Sequence, residues 1–232
     1  MSVTSDSLPR DFYLRDALEV ARDLLGRILV VRGIGDAAGD AGGDAPAAVV
    51  RIVETEAYRR DDPASHAFRG PTARNASMFL EGGRAYVYRI YGIHRCLNVV
   101  TGLSGIGEAV LIRAVEPLEG IASMWRRRYG QEMPADGAGK KSPDRRLHGL
   151  SDGPGKLCLA LGIDVAGYDG TDLLDGPLRI LNGHPVDDAS VGRSPRIGLS
   201  AGKGEKEPWR FFVSGNRFVS RRLPGNLRTN AS

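Results

Sequence analysis

The stretch that most constrains this chain is 85–101, AYVYRIYGIHRCLNVVT, two runs of aromatic and β-branched residues broken by a single glycine, Gly92. Runs of that composition read as strands, and the glycine between them reads as the turn of a hairpin. The spacing predicts strands over 85–91 and 93–101, a pairing that commits the surrounding sheet to a mostly antiparallel order. Further strands are expected at ILVVR from Ile28, at 48–57, at 108–115 and, late in the chain, at 177–181, 195–199 and 210–214. Leu14, Leu18, Ala21 and Leu25 recur at helical spacing, predicting a helix over Asp16–Leu25 that Gly26 stops. A second helix is expected from Leu118 to Tyr129. A short third one should begin at Gly153–Pro154 and run through Leu161, since proline is tolerated in a first turn. Residues 33–47 are Gly, Ala and Asp without periodicity and read as a flexible excursion, and 131–150 read as a second polar insertion. With 232 residues, 41% of them apolar, the chain suits one α+β domain spanning 1–232.

Ahead of the hairpin stands RIVETEAY, from Arg51 to Tyr58. On a strand, Glu54, Glu56 and Tyr58 point to one face and Thr55 and Ala57 to the other. If both carboxylates are buried they cannot both ionise cheaply, so one is expected to have a raised pKa, as an acid or base working near neutrality does. Taken alone, the same pattern also describes an edge strand with a solvated acidic face. In the same way, Arg113 alone reads as a partner of Glu116 or Glu108, and Tyr86 and Tyr88 read as core aromatics.

The net charge is +4, from 32 basic and 28 acidic side chains, so the placement of charge matters more than its total. Acidic residues gather over 36–44 and 164–175. Arg126, Arg127, Arg128, Lys140, Lys141, Arg145 and Arg146 form one basic set, and Lys203, Arg210, Arg217, Arg221, Arg222 and Arg228 form another. Both fit a phosphate-tracking surface, and equally a solvated surface with no partner. Cys96 and Cys158 fit neither a disulfide framework nor a metal knuckle and read as small buried hydrophobes in a reducing compartment. The four histidines show no zinc spacing, so no metal and no cofactor are expected. Without an apolar leader or membrane span, a cytoplasmic location is expected.

The words VETEAY at 53–58, His66, ARN at 73–75, YVYRIYG at 86–92 and LN at 97–98 resemble the alkyladenine (3-methyladenine) DNA glycosylase family. VLIRAVEPLEG from Val110, GPGKLCLALGI from Gly153, PRIG from Pro195 and RFFVSGNRFVS from Arg210 extend the likeness in order over nearly the whole chain. It implies a curved antiparallel sheet flanked by helices, with a protruding hairpin that enters DNA. It also implies a monomeric, monofunctional enzyme of base excision repair, nucleoid-associated if prokaryotic. Such an enzyme flips alkylated or deaminated purines (3-methyladenine, 7-methylguanine, hypoxanthine, ethenoadenine) out of double-stranded DNA and hydrolyses their N-glycosidic bond.

By position in the family words, Glu56 is the base that activates the water and Arg113 helps to hold that water. Tyr58, His66 and Tyr88 stack around the flipped base. Tyr91 fills the vacated stack, and Asn98 crowds the 2-amino group of guanine, although a buried Asn capping a turn would look the same. No lysine stands in the matched pocket words, so no Schiff-base step is implied. His94 and Arg95 match no invariant pattern, and the two insertions interrupt the likeness. A catalytically silent damaged-DNA-binding protein would keep the fold and the wedge. A free-nucleoside hydrolase would keep Glu56 and the aromatic clasp but has no use for Tyr91 or the basic sets.

Overall fold

The computed structural model describes residues 6–33, 48–134 and 143–220. Most of the 33–47 excursion, the middle of the 131–150 insertion, and Lys140, Lys141, Arg221, Arg222 and Arg228 lie outside the described residues. The chain opens with two short helices, α1 (Arg10–Tyr13) and α2 (Ala17–Asp23). Asp16 caps α2 by accepting the Leu18 N–H at 2.8 Å. Strands β1 (Ile28–Val31), β2 (Ala48–Tyr58), β3 (Ala85–Ile90), β4 (His94–Thr101) and β5 (Glu108–Glu119) follow. Then come helices α3 (Ile121–Tyr129), α4 (Pro143–His148), α5 (Pro154–Leu161) and α6 (Val165–Tyr168), and strands β6 (Leu178–Leu181), β7 (Val191–Ser194) and β8 (Arg210–Val213).

All eight strands join one antiparallel sheet in the order β3-β4-β5-β2-β1-β6, with β8 lying against both β2 and β7. The α+β architecture expected from the sequence is the one observed. Strand β2 is its spine. Residues 48–51 pair with β1, whereas Glu54–Glu56 pair with β8. Changing partners at midlength curls the sheet and sets both glutamates against a strand from the end of the chain. The alternation read from the sequence holds: the Thr55 hydroxyl donates to the Ala21 carbonyl at 2.7 Å, and Ala57 joins the main core with Val20, Ala21, Ile112 and Leu157. Glu54 and Glu56 occupy the opposite face.

Four expectations need correction. The first is strand 195–199. The ladder ends at Ser194, because Pro195 has no N–H to offer, and residues 195–199 leave the sheet. Second, the helix expected from Leu118 begins at Ile121, since β5 continues to Glu119 and Gly120 makes the break at φ +75°. The third is the 131–150 insertion: its end belongs to the fold, with Pro143–His148 helical and Leu150 fully buried. Fourth, Arg210 is no surface cation. It is fully buried against Glu54. No helix among the described residues is long and apolar enough to cross a membrane.

Candidate active site

Glu54 and Glu56 are both fully buried, but their surroundings differ. Oε1 of Glu54 accepts from Arg113 Nε at 2.9 Å, Arg210 Nε at 2.7 Å and the Ser220 hydroxyl at 2.7 Å, while Oε2 accepts the Ser220 N–H at 2.6 Å. Burial alone would raise its pKa. The guanidiniums of Arg113 and Arg210, with the Ser220 amide, outweigh burial and hold the carboxyl below its ordinary value. The raised pKa expected of a buried pair is therefore not found at Glu54, because two cations share its site.

Arg113 is the hinge between the acids. Its Nε binds Glu54, and its Nη1 lies 3.1 Å from Glu56 Oε1. The pairing of β2 with β5 is irregular here: Ile52 faces Val115, Glu54 faces Ala114 and Thr55 faces Ile112, which leaves Val53 and Arg113 without opposite numbers. Irregularities of this kind re-aim side chains, and this one aims Arg113 at both glutamates. Glu116 pairs with Arg51 and Glu108 with Arg59 instead, so Arg113 is ion-paired, but with neither of the partners expected of it in isolation.

Glu56 accepts the Ile197 N–H at 2.7 Å on Oε1 and the Tyr58 hydroxyl at 2.9 Å on Oε2, and its Oε1 is ion-paired with Arg113. A carboxylate has about four lone-pair sites, so two hydrogen bonds and an ion pair do not exhaust its capacity to accept. Burial, and after it the Glu56 carboxylate, pushes the Tyr58 phenol well above its ordinary pKa, so Tyr58 is a neutral donor.

Tyr58, Arg113 and Ile197 open onto a cavity of about 260 Å³ that His66, Tyr86, Tyr88, Tyr91 and Asn98 also line. All seven residues singled out from the sequence thus converge: six line the cavity, and Glu56 lies behind Tyr58 and Arg113. His66 packs edge-on to Tyr88 at 4.5 Å between centroids, and its Nδ1 shares a 2.8 Å hydrogen bond with the Tyr86 hydroxyl. Tyr86 is buried, as read, yet it also serves the cavity. Burial and then Arg74 lower the His66 pKa, so its ring is neutral at neutral pH. The Asn98 side-chain amide donates to the Tyr86 carbonyl at 3.0 Å.

Strands β3 and β4 form the expected hairpin, with Ile90 opposite His94. At its tip, within the three residues that join Ile90 to His94, Tyr91 and Gly92 both take positive φ, 52° and 71°. That conformation strains a tyrosine by about 1–3 kcal/mol, and Tyr91 is 86% exposed with Ile93 at 69%. Arg69, Arg74 and Arg89 are exposed on the adjoining loop and strand. A second cavity of about 590 Å³ shares Tyr91, Cys96 and Arg113 with the first and adds His94, Arg128 and Lys156, the last paired to Asp152 at 2.8 Å. Both cysteines are buried and unbridged. Among the described residues no three His, Cys, Asp or Glu side chains gather as a metal site.

Sequence reasoning did not find the roles of Arg210, Ser220, Asp62, Arg196 and the Ile197 amide. The words PRIG and RFFVSGNRFVS contain four of these five residues, but nothing in a linear sequence says that they fold onto β2.

The family model for methylpurine-DNA glycosylase matches residues 11–217. A protein of Methanoculleus marisnigri provisionally named 3-methyladenine DNA glycosylase is 45% identical over 93% of this chain and all of its own length. Proteins with the same provisional name from Granulibacter bethesdensis and Carboxydothermus hydrogenoformans are each 44% identical, over 95% and 93% of this chain and 90% and 99% of their own lengths. A match of that extent, on a chain whose sheet gathers the family's words around one aromatic cavity, means that it belongs to the methylpurine-DNA glycosylase family.

Proposed function

We propose that this DNA glycosylase is a monofunctional enzyme for alkylated and deaminated purines, such as 3-methyladenine, 7-methylguanine, hypoxanthine and ethenoadenine, which it flips from double-stranded DNA into the aromatic cavity. One observation carries the reading: the buried Glu56 carboxylate, hydrogen-bonded by the Tyr58 hydroxyl and the Ile197 N–H and ion-paired with Arg113, lies behind two residues of a cavity lined with four tyrosines and a histidine. Tyr58, His66 and Tyr88 clasp the base, and stacking with cation–π attraction favours an electron-poor ring by about 0.5–2 kcal/mol per contact. Asn98, fixed by the Tyr86 carbonyl, stands at the wall against the 2-amino group of normal guanine.

In the reaction the water oxygen bonds to C1′ as the bond from C1′ to the purine nitrogen breaks. The purine departs with that electron pair, and Glu56 takes the proton released by the water. Positive charge builds on the sugar in the transition state, and the nearby carboxylate stabilises it. Arg113, tied to Glu54, keeps Glu56 in place and offers its remaining donors to the water. Tyr91, exposed at the hairpin tip, enters the gap left by the flipped nucleotide.

The test is Glu56→Gln, which keeps size and loses the base. Single-turnover excision of hypoxanthine should fall by at least about 10²-fold, the scale of general-base catalysis, with binding to the lesion duplex retained. Turnover near that of the unsubstituted enzyme would assign the base elsewhere.

A further inference from the structure

One cation braces the proposed clasp from outside the cavity. The Arg196 guanidinium is fully buried and pairs with both carboxylate oxygens of Asp62, the Nη2–Oδ1 distance being 3.0 Å. Its Nη1 donates at 3.0 Å to the carbonyl of Ala57, the residue between Glu56 and Tyr58. The next residue, Ile197, supplies the N–H on Glu56. The guanidinium carbon lies 4.6 Å from the centroid of the Tyr58 ring and 4.9 Å from that of Trp209, so the cation sits between two aromatic rings. Tyr58 lines the cavity and Arg196 does not. The Tyr58 ring therefore borders the cavity and also packs against a cation that lies outside it. The Arg196 Nε–H is buried without a hydrogen-bond partner among the described residues. Such a donor is costly, and contact with the faces of two rings offsets it.

A cation is drawn to the negative face of an aromatic ring. A guanidinium already on one face pulls density towards itself and repels a second cation approaching the other. We propose that Arg196 is a positioning and specificity-determining residue: it fixes Tyr58 from outside the cavity and weakens the pull of that ring on cationic purines, tilting the clasp towards neutral lesions. The inference rests on the purine glycosylase reading above. Asp62 offsets part of the Arg196 charge, so the two members of the pair act on the Tyr58 ring with opposite signs.

The measurement is the ratio of single-turnover excision rates for 7-methylguanine, cationic as a nucleoside in DNA, and hypoxanthine, which is neutral. A ratio cancels any general loss from disturbed packing. Arg196→Met removes the cation and should raise the ratio about threefold to tenfold, the scale of one cation–π contact. Asp62→Asn leaves the cation uncompensated and should lower it. Loss of activity on both lesions with an unchanged ratio would mean that the pair is only structural, and a shift in the same direction for both variants would equally overturn the proposal. If Arg196→Met does not fold, Asp62→Asn decides the sign alone, and an unchanged or raised ratio refutes the inference. An unsubstituted enzyme that excises neither lesion overturns the glycosylase reading itself, an outcome distinct from an active enzyme whose ratio does not move.

Discussion

Removing one member of a buried ion pair leaves the other charge uncompensated, at a cost of about 3–5 kcal/mol. Glu54 faces two such partners, Arg113 and Arg210, with Ser220 closing the site. Glu54→Gln should therefore cost about 3–5 kcal/mol in denaturant unfolding, and it should also slow excision by freeing Arg113 from its anchor. The pH dependence has a definite sign. A carboxyl held below its ordinary 4.5 in the fold contributes stability that is fully present above 4.5 and is lost as pH falls through the folded-state value. Unfolding measured from pH 7 down to pH 3 should show an acid limb that flattens in Glu54→Gln; an unchanged limb would mean that other carboxylates carry it. The E-x-E alternation made the shared face of the two acids legible. The division of labour between them was not, because it depends on Arg210 and Ser220, more than 150 residues away in sequence.

At the scale of elements, the β3–β4 hairpin was legible because its strand composition and the break at Gly92 are local signals. Strand 195–199 does not form because Pro195 ends the ladder, and the consequence, an Ile197 N–H free for Glu56, shows only in the folded sheet. The hairpin carries its own prediction. Tyr91 is held in a strained turn and almost wholly exposed, and if its ring fills the vacated stack, Tyr91→Ala weakens the extrahelical state without touching Glu56. A lost stacking contact of about 1–3 kcal/mol is roughly a ten- to hundred-fold change. Hypoxanthine excision should fall most where the lesion is well paired and least in single strand, where unpairing costs least. Equal loss in every context would make Tyr91 a pocket support, and no loss would place the tip off the DNA.

Across the whole molecule, the basic residues divide into those the fold consumes and those it presents. Arg113, Arg196 and Arg210 are buried in ion pairs, whereas Arg69, Arg74, Arg89, Lys203, Lys206 and Arg217 are exposed. Net charge gave no means of telling the two groups apart. If the exposed set tracks phosphates, log affinity for duplex DNA should fall with log salt at a slope of roughly 0.9 per phosphate contacted, and titration at several salt concentrations measures it. A flat response would remove DNA as the substrate. The most direct test of the account offers the enzyme a duplex containing one hypoxanthine and, separately, the free deoxynucleoside of the same base, and follows release of the base. The account predicts free hypoxanthine and an unbroken strand carrying an abasic site from the duplex, with little or no hydrolysis of the nucleoside. Binding without release, or faster hydrolysis of the nucleoside than of the duplex, would contradict it.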